Sequence, residues 1–187
     1  MTNPTVPPGP TPTVPPGPTP ADRRAVRASY GAFIGAGFAF ASWASRIPQV
    51  KGRLDLSPAE LGVVLLAIAG GSVISLPLSA VIVHRLGARR TVSLMAVLFG
   101  VALAAAGVGY LGGVGPLIAG LFVLGFANGA WDVAMNVQGA DVERQLGTSI
   151  MPRFHAGFSL GTVIGALLGA AMVALHVPVT EIGRAHV

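Results

Sequence analysis

Long apolar runs alternate with short clusters of charged and turn-forming residues along most of the chain. Five runs, near 28–47, 59–84, 91–111, 116–139 and 154–177, carry almost no charge. Each holds roughly 20 to 26 residues, and a helix needs about 20 to cross a hydrocarbon layer ~30 Å thick. A bilayer offers no water to backbone N–H and C=O groups, so runs of this kind are predicted to be helices. The expected fold is an all-α membrane protein with five transmembrane helices.

The residues between the runs support this division. Ser57-Pro58-Ala59-Glu60 reads as a capping box with proline at the first helical position, opening the second span. Gly112, Gly113, Gly115 and Pro116 predict a tight turn between spans three and four. Residues 1–24 are read as a disordered, proline-rich cytoplasmic tail. The octet TVPPGPTP fills 5–12 and again 13–20, and nine of the fifteen prolines lie in the first twenty residues. Such a segment lacks backbone donors and favours polyproline II over a packed state. Residues 25–180 are the expected transmembrane domain. Residues 181–187, EIGRAHV, match what a common sequencing-library adapter encodes. The expectation is therefore that the native frame departs after about Thr180 and that the odd number of spans is an artefact.

Composition narrows the class. Hydrophobic residues make up 52% of the chain and charged ones 10%, where a soluble domain carries about 25%. Mean hydropathy is +0.71. Too few polar side chains remain to cover a water-facing surface, which excludes a soluble enzyme domain. Net charge is +5, from eleven arginines and one lysine that punctuate the apolar runs rather than line one polar face. No nucleic-acid surface is expected. Cysteine is absent, and His84, His155 and His176 are scattered without ligand spacing, so neither a metal nor a cofactor is expected.

The arginines also predict orientation. With the N-terminus in the cytoplasm, Arg23, Arg24, Arg27, Arg85, Arg89, Arg90, Arg144 and Arg153 fall inside, and Arg46, Lys51 and Arg53 fall outside. Trp43 and Tyr110 then sit at the outer interface, where amphipathic aromatic rings are favoured.

Two patterns carry candidate function. Gly157, Gly161, Gly165 and Gly169 recur every four residues in span five, with Gly125 and Gly129 in span four and Gly31 and Gly35 in span one. Such stripes let helix backbones approach closely in lipid. In span four, Asn128, Asp132 and Asn136 share one face, with Trp131 beside them. Asp132 is the one acid placed inside a span. It should face the bundle interior or a water-filled path, where it can take up and release a proton. A carboxyl that merely bonds helices together is the alternative. His155 opens span five and could relay that proton. Arg46 could attract an anion or reach the interface.

The loop His84-Arg85-Leu86-Gly87-Ala88-Arg89-Arg90 resembles the D-R-x-G-x-R-R signature of the major facilitator superfamily, with His84 in place of the aspartate. The stretches WASRIP from Trp43, NGAWDVAMN from Asn128 and HAGFSLG from His155 are similar to the fucose-permease-like bacterial branch. The resemblance implies two six-helix halves, each built from inverted three-helix repeats, with substrate bound between the halves. On it, this chain supplies five helices of an N-terminal half, without the sixth span and the C-terminal half. It implies a secondary transporter of the cytoplasmic membrane that moves a small polar solute, such as a sugar, with protons. Asp132 is then the coupling acid, and His84, Arg85, Gly87, Arg89 and Arg90 form a gate loop. Export of drugs or metabolites is one alternative, although the arginine and glycine-proline signatures of that group are missing. A non-transporting five-span scaffold or sensor is the other.

Overall fold

A computed structural model describes residue 17 and residues 19–175, and of Tyr110 the backbone alone. The tail up to residue 16, His176, the heptapeptide 181–187 and the placement of the Tyr110 ring lie outside the described residues. Helices α1 (Pro20–Ala44), α2 (Ile47–Arg53), α3 (Pro58–Leu86), α4 (Ala88–Gly109), α5 (Val114–Leu146) and α6 (Met151–Ala174) follow in order, with a 3-10 turn at Tyr110–Gly112. Among the described residues there is no strand.

Helix starts follow local chemistry. The Ser57 N–H donates to the Glu60 carboxylate at 2.8 Å and the Glu60 N–H donates back to the Ser57 hydroxyl at 3.3 Å, as the sequence predicts for α3. The same box, built from Thr19 and Asp22 with Pro20 at the first position, opens α1. Pro20–Arg24 are therefore helical, and the boundary of the tail moves from residue 24 to Thr19. The Thr19 hydroxyl, and then its N–H, hold the Asp22 carboxyl below the ordinary carboxylate range. At α6 the cap arrives from another helix. The N–H groups of Ile150 and Met151 donate to Glu143 Oε2 at 2.8 and 2.7 Å, tying the end of α5 to the start of α6.

Among the described residues, α3, α4, α5 and α6 are the four helices long and apolar enough to cross a membrane. The first of the five predicted spans, α1, matches them in length but not in apolarity. Its first two turns hold Asp22, Arg23, Arg24 and Arg27, and its remainder is rich in Gly, Ala and Ser.

Packing fixes the helix directions. From Gly157 beside Tyr30 to Gly169 beside Ser45, α6 runs parallel to α1. From Ile68 against Gly125 to Ser75 against Gly129, α3 runs parallel to α5. Gly109 against Pro116 and Gly120 against Ala106 make α4 antiparallel to α5. Thus α1, α4 and α6 point one way and α3 and α5 the other. One end of the bundle gathers Arg23, Arg24, Arg27, Arg85, Arg89, Arg90, Arg144 and Arg153, and the other holds Arg46, Lys51 and Arg53.

Two crossings share one design. In the first, a Cβ on Gly161 would collide with the carbonyl of Ile34, and one on Gly37 with the carbonyl of Phe158. In the second, Gly71 meets the carbonyl of Phe122 and Gly125 that of Ile68. On all four helices the glycine follows the contacted carbonyl residue by three positions. The α1–α6 crossing thus repeats as α5–α3, with every helix direction reversed. Gly31 and Gly35 do not take part: nothing lies within 4 Å of a Cβ on Gly31, and Gly35 meets only the Trp131 ring, at 3.7 Å.

The core centres on α5, whose Leu117, Leu121, Leu124, Ala127, Ala130 and Ala134 are fully buried. Phe33 stacks on Phe154 at 5.5 Å, and Tyr30 meets Phe154 edge-on at 5.0 Å. Buried hydroxyls turn back on their own helices: Ser75 donates to the Ser72 carbonyl, Ser79 to Ser75 and Thr91 to Gly87. Ser72 instead donates across to the Gly125 carbonyl at 3.0 Å. Trp43 belongs to this core. It is 4% exposed, which overturns its assignment to the outer interface, because it packs in one buried cluster that includes Val50 and Leu56.

Candidate functional site

Asp132 lies just past the middle of α5, on the face turned toward α1 and α6. Its side chain opens into a cavity of ≈ 140 Å³ lined by Ala36, Phe40, Asn128, Asp132, Met135 and Phe158. Three helices contribute: Ala36 and Phe40 from α1, Phe158 from α6, and the rest from α5. The four-residue spacing of Asn128, Asp132 and Asn136 places all three on this side of α5, as their sequence predicts.

Within the cluster one polar contact is direct. Asn136 Nδ2 donates to the Asp132 carbonyl at 2.8 Å and to Asp132 Oδ1 at 3.3 Å. This fixes one carboxylate oxygen of a residue that lines the cavity. Asn128 lines the same cavity one turn away. His155 lies within electrostatic range of Asp132, and its ring meets Phe33 edge-on at 5.2 Å. Of the four residues that the sequence nominated for the path, Asn128 and Asp132 line the cavity, Asn136 reaches it through its bond to Asp132, and His155 stands outside the lining.

Trp131 turns away from them. It is buried against Gly35 of α1, with Phe99 of α4 edge-on at 6.1 Å, and its indole N–H has no partner among the described residues. One residue along a helix is a rotation of about 100°, enough to move it off the Asp132 face. On that inner side Gln138 Nε2 donates to the Ser29 hydroxyl at 3.2 Å, joining α5 to α1.

Phe40 and Phe158 escape a reading from sequence because each sits in an apolar run where every position looks alike. The aromatic residue one turn from a stripe glycine is the signal that could have found Phe158. A carboxylate with one fixed oxygen, two amides and two phenyl rings can hydrogen-bond a polyhydroxy or amino solute and cover its apolar face.

Two further groups lie at opposite ends of the bundle. His84 and Arg85 occupy the last turn of α3, Gly87 (φ 80°) is the whole connection, and Arg89 and Arg90 start α4. A left-handed φ suits glycine, which lacks the Cβ that would clash there. Arg46, at the far end, donates to Gln49 Oε1 at 3.2 Å and to the sulfur of Met172 at 3.0 Å, joining the end of α1 to that of α6. Among the described residues no group of three potential metal ligands forms.

The profile of the Major Facilitator Superfamily matches residues 23–179. The chain is similar to an uncharacterized transporter of Sinorhizobium fredii, with 37% identity over 148 residues, which is 79% of this chain and 38% of that protein. An uncharacterized MFS-type transporter of Yersinia pestis is 36% identical over 135 residues, 72% of this chain and 35% of the relative. The membrane protein MosC of Rhizobium meliloti is 34% identical over 131 residues, 70% of this chain and 32% of the relative. The chain thus spans roughly a third of the length of the curated relatives it matches. No solved structure matches it significantly.

Proposed function

This chain belongs to the major facilitator superfamily, a family of membrane transporters, and we propose that it walls the substrate path of a proton-coupled carrier for a small polar solute such as a sugar. We place this carrier in the fucose-permease-like branch and in the cytoplasmic membrane. One observation carries it: Asp132 sits midway along an apolar spanning helix yet opens into a cavity instead of being sealed between helices. A carboxylate in hydrocarbon costs about 2.5–3.5 kcal/mol on insertion scales, so such a group belongs on a wetted path.

On this reading Asp132 takes up and releases the coupling proton, and His155 relays it toward the arginine-rich end. Asn128 and Asn136 hydrogen-bond the solute while Phe40 and Phe158 cover its apolar face. The far wall belongs to a second set of helices, for which the greater length of the relatives leaves room. α1 crosses the membrane as a fifth span, parallel to α6 from Tyr30 to Ser45. The eight arginines at one end, against Arg46, Lys51 and Arg53 at the other, support a cytoplasmic N-terminus. The glycine crossings supply smooth contacts along which the helix pairs slide.

The test is Asp132→Asn in the full-length protein, assayed in energised vesicles. Proton-driven accumulation should disappear while exchange of solute down its gradient persists. Accumulation that stays proton-driven with an unchanged pH dependence would remove Asp132 from the mechanism. Solute flux in inverted vesicles separates uptake from export.

A further inference from the structure

The short joint between α3 and α4 carries a charge problem that the transport path does not use. Gly87 alone connects two helices that are each apolar enough to cross a membrane. A one-residue connection cannot leave the interface, so Arg85, Arg89 and Arg90 are held at the depth of lipid headgroups. Among the described residues their compensation is missing. The carboxylates at this end of the bundle are engaged elsewhere: Asp22 with Thr19, Asp141 with Arg144, and Glu143 with the N–H groups of Ile150 and Met151. Where the resemblance expects an aspartate, His84 adds no negative charge. No ion pair reaches Arg85, Arg89 or Arg90 among the described residues.

The surface beside them has a matching shape. Arg89, Arg90, Ser93 and Leu94, all on α4, border a shallow open depression of ≈ 430 Å³. From Arg90 the same face of α4 continues through Leu94 and Val97, which are 51% and 67% exposed. Guanidinium groups at headgroup depth followed by an apolar track match a phosphate followed by an acyl chain.

We propose that Arg85, Arg89 and Arg90 form a binding site for the phosphate of an anionic phospholipid, whose acyl chain runs along Leu94 and Val97. The lipid supplies negative charge that the described residues do not offer the joint. Bound there, it pins the α3–α4 joint at the membrane surface while α3 and α4 stay free to tilt about Gly87.

The experiment is native mass spectrometry of the purified full-length protein, delipidated and then offered phosphatidylglycerol or phosphatidylcholine. The protein should retain phosphatidylglycerol over phosphatidylcholine by about fivefold or more, on the scale that one interfacial arginine contributes. The combined variant Arg85→Gln, Arg89→Gln, Arg90→Gln should lose that preference. Arg23→Gln, Arg24→Gln, Arg27→Gln removes equal charge at the same end and should keep it. Should the combined variant fail to fold by size-exclusion chromatography, Arg90→Gln alone should still weaken the preference. Equal retention of both lipids by the unaltered protein would overturn the site. So would full preference in a folded arginine variant, or equal loss in the N-terminal control, which would signal diffuse attraction. Displacement of the lipid by millimolar inorganic phosphate would identify free phosphate as the ligand and also overturn the proposal.

Discussion

Gly161 of α6 rests on the backbone carbonyl of Ile34 in α1, with no space for a Cβ between them. Gly71 and Phe122 repeat the contact between α3 and α5. Lipid tails are as apolar as leucine, so burying apolar area does little to join helices inside a membrane, and close backbone approach takes over that role. The two crossings therefore set how closely α1 approaches α6 and α3 approaches α5, and their disruption should be measurable.

Gly161→Ala should lower the thermal midpoint of the detergent-solubilised protein, with a loss of about 1–3 kcal/mol from overpacking. Gly31→Ala, whose new methyl meets nothing within 4 Å, serves as the comparison. It should stay within about 0.5 kcal/mol of the parent. Equal midpoints for the two variants would mean that α1 and α6 are not packed through Gly161.

The two crossings share no contacting residue, so Gly161→Ala and Gly125→Ala should add to within about 0.5 kcal/mol. Gly161→Ala and Gly37→Ala act on one crossing. Once the first has forced α1 and α6 apart, the second should cost less. A double-mutant cycle on thermal midpoints separates the cases, and full additivity within the α1–α6 crossing would refute its reciprocal geometry.

Trp131 buries an indole N–H that has no partner among the described residues. Trp131→Phe keeps an aromatic ring against Phe99 and removes the unpartnered donor, so stability should hold or rise. Trp131→Ala should lose about 3–5 kcal/mol to the cavity it leaves. A large loss in Trp131→Phe, read from the same melts, would reveal a hidden partner for the N–H.

The Asp22 cap should respond to pH. Its folded carboxyl titrates below the ordinary value because Thr19 donates to the charged form. The cap therefore contributes fully above the unfolded value near 3.9 and is lost as pH falls through the lower folded value. Protection of the Asp22 amide, measured as its exchange rate relative to the intrinsic rate at each pH, should fall only across that acid range. Asp22→Asn should raise exchange at neutral pH and flatten the response.

The Glu143 bridge gives a local readout. Glu143→Ala removes the acceptor shared by Ile150 and Met151, and exchange of those two amides should rise while the middle of α6 keeps its protection. Unchanged exchange would mean that water or another carboxylate caps α6.

Much of this protein was decided by sequence alone. Uniform apolarity over helix-length runs, with charge confined to the joints, selects a helical membrane protein whatever the side-chain detail. The Ser57–Glu60 box sets the start of α3 because its hydrogen bonds close within one turn. The four-residue glycine repeat of α6 is local in the same sense, and so is the shared face of Asn128, Asp132 and Asn136. Tertiary structure decided which partners those faces meet. Gly37 and Gly71 carry crossings while Gly31 and Gly35 do not, Trp43 and Trp131 turn inward, and Phe40 and Phe158 flank Asp132. The physical reason is the solvent. In water the polar–apolar pattern tells a helix which side to bury, but here lipid and protein interior are equally apolar. The side that packs is then chosen by shape, and shape is complete only when the partner helix, distant in the chain, is in place.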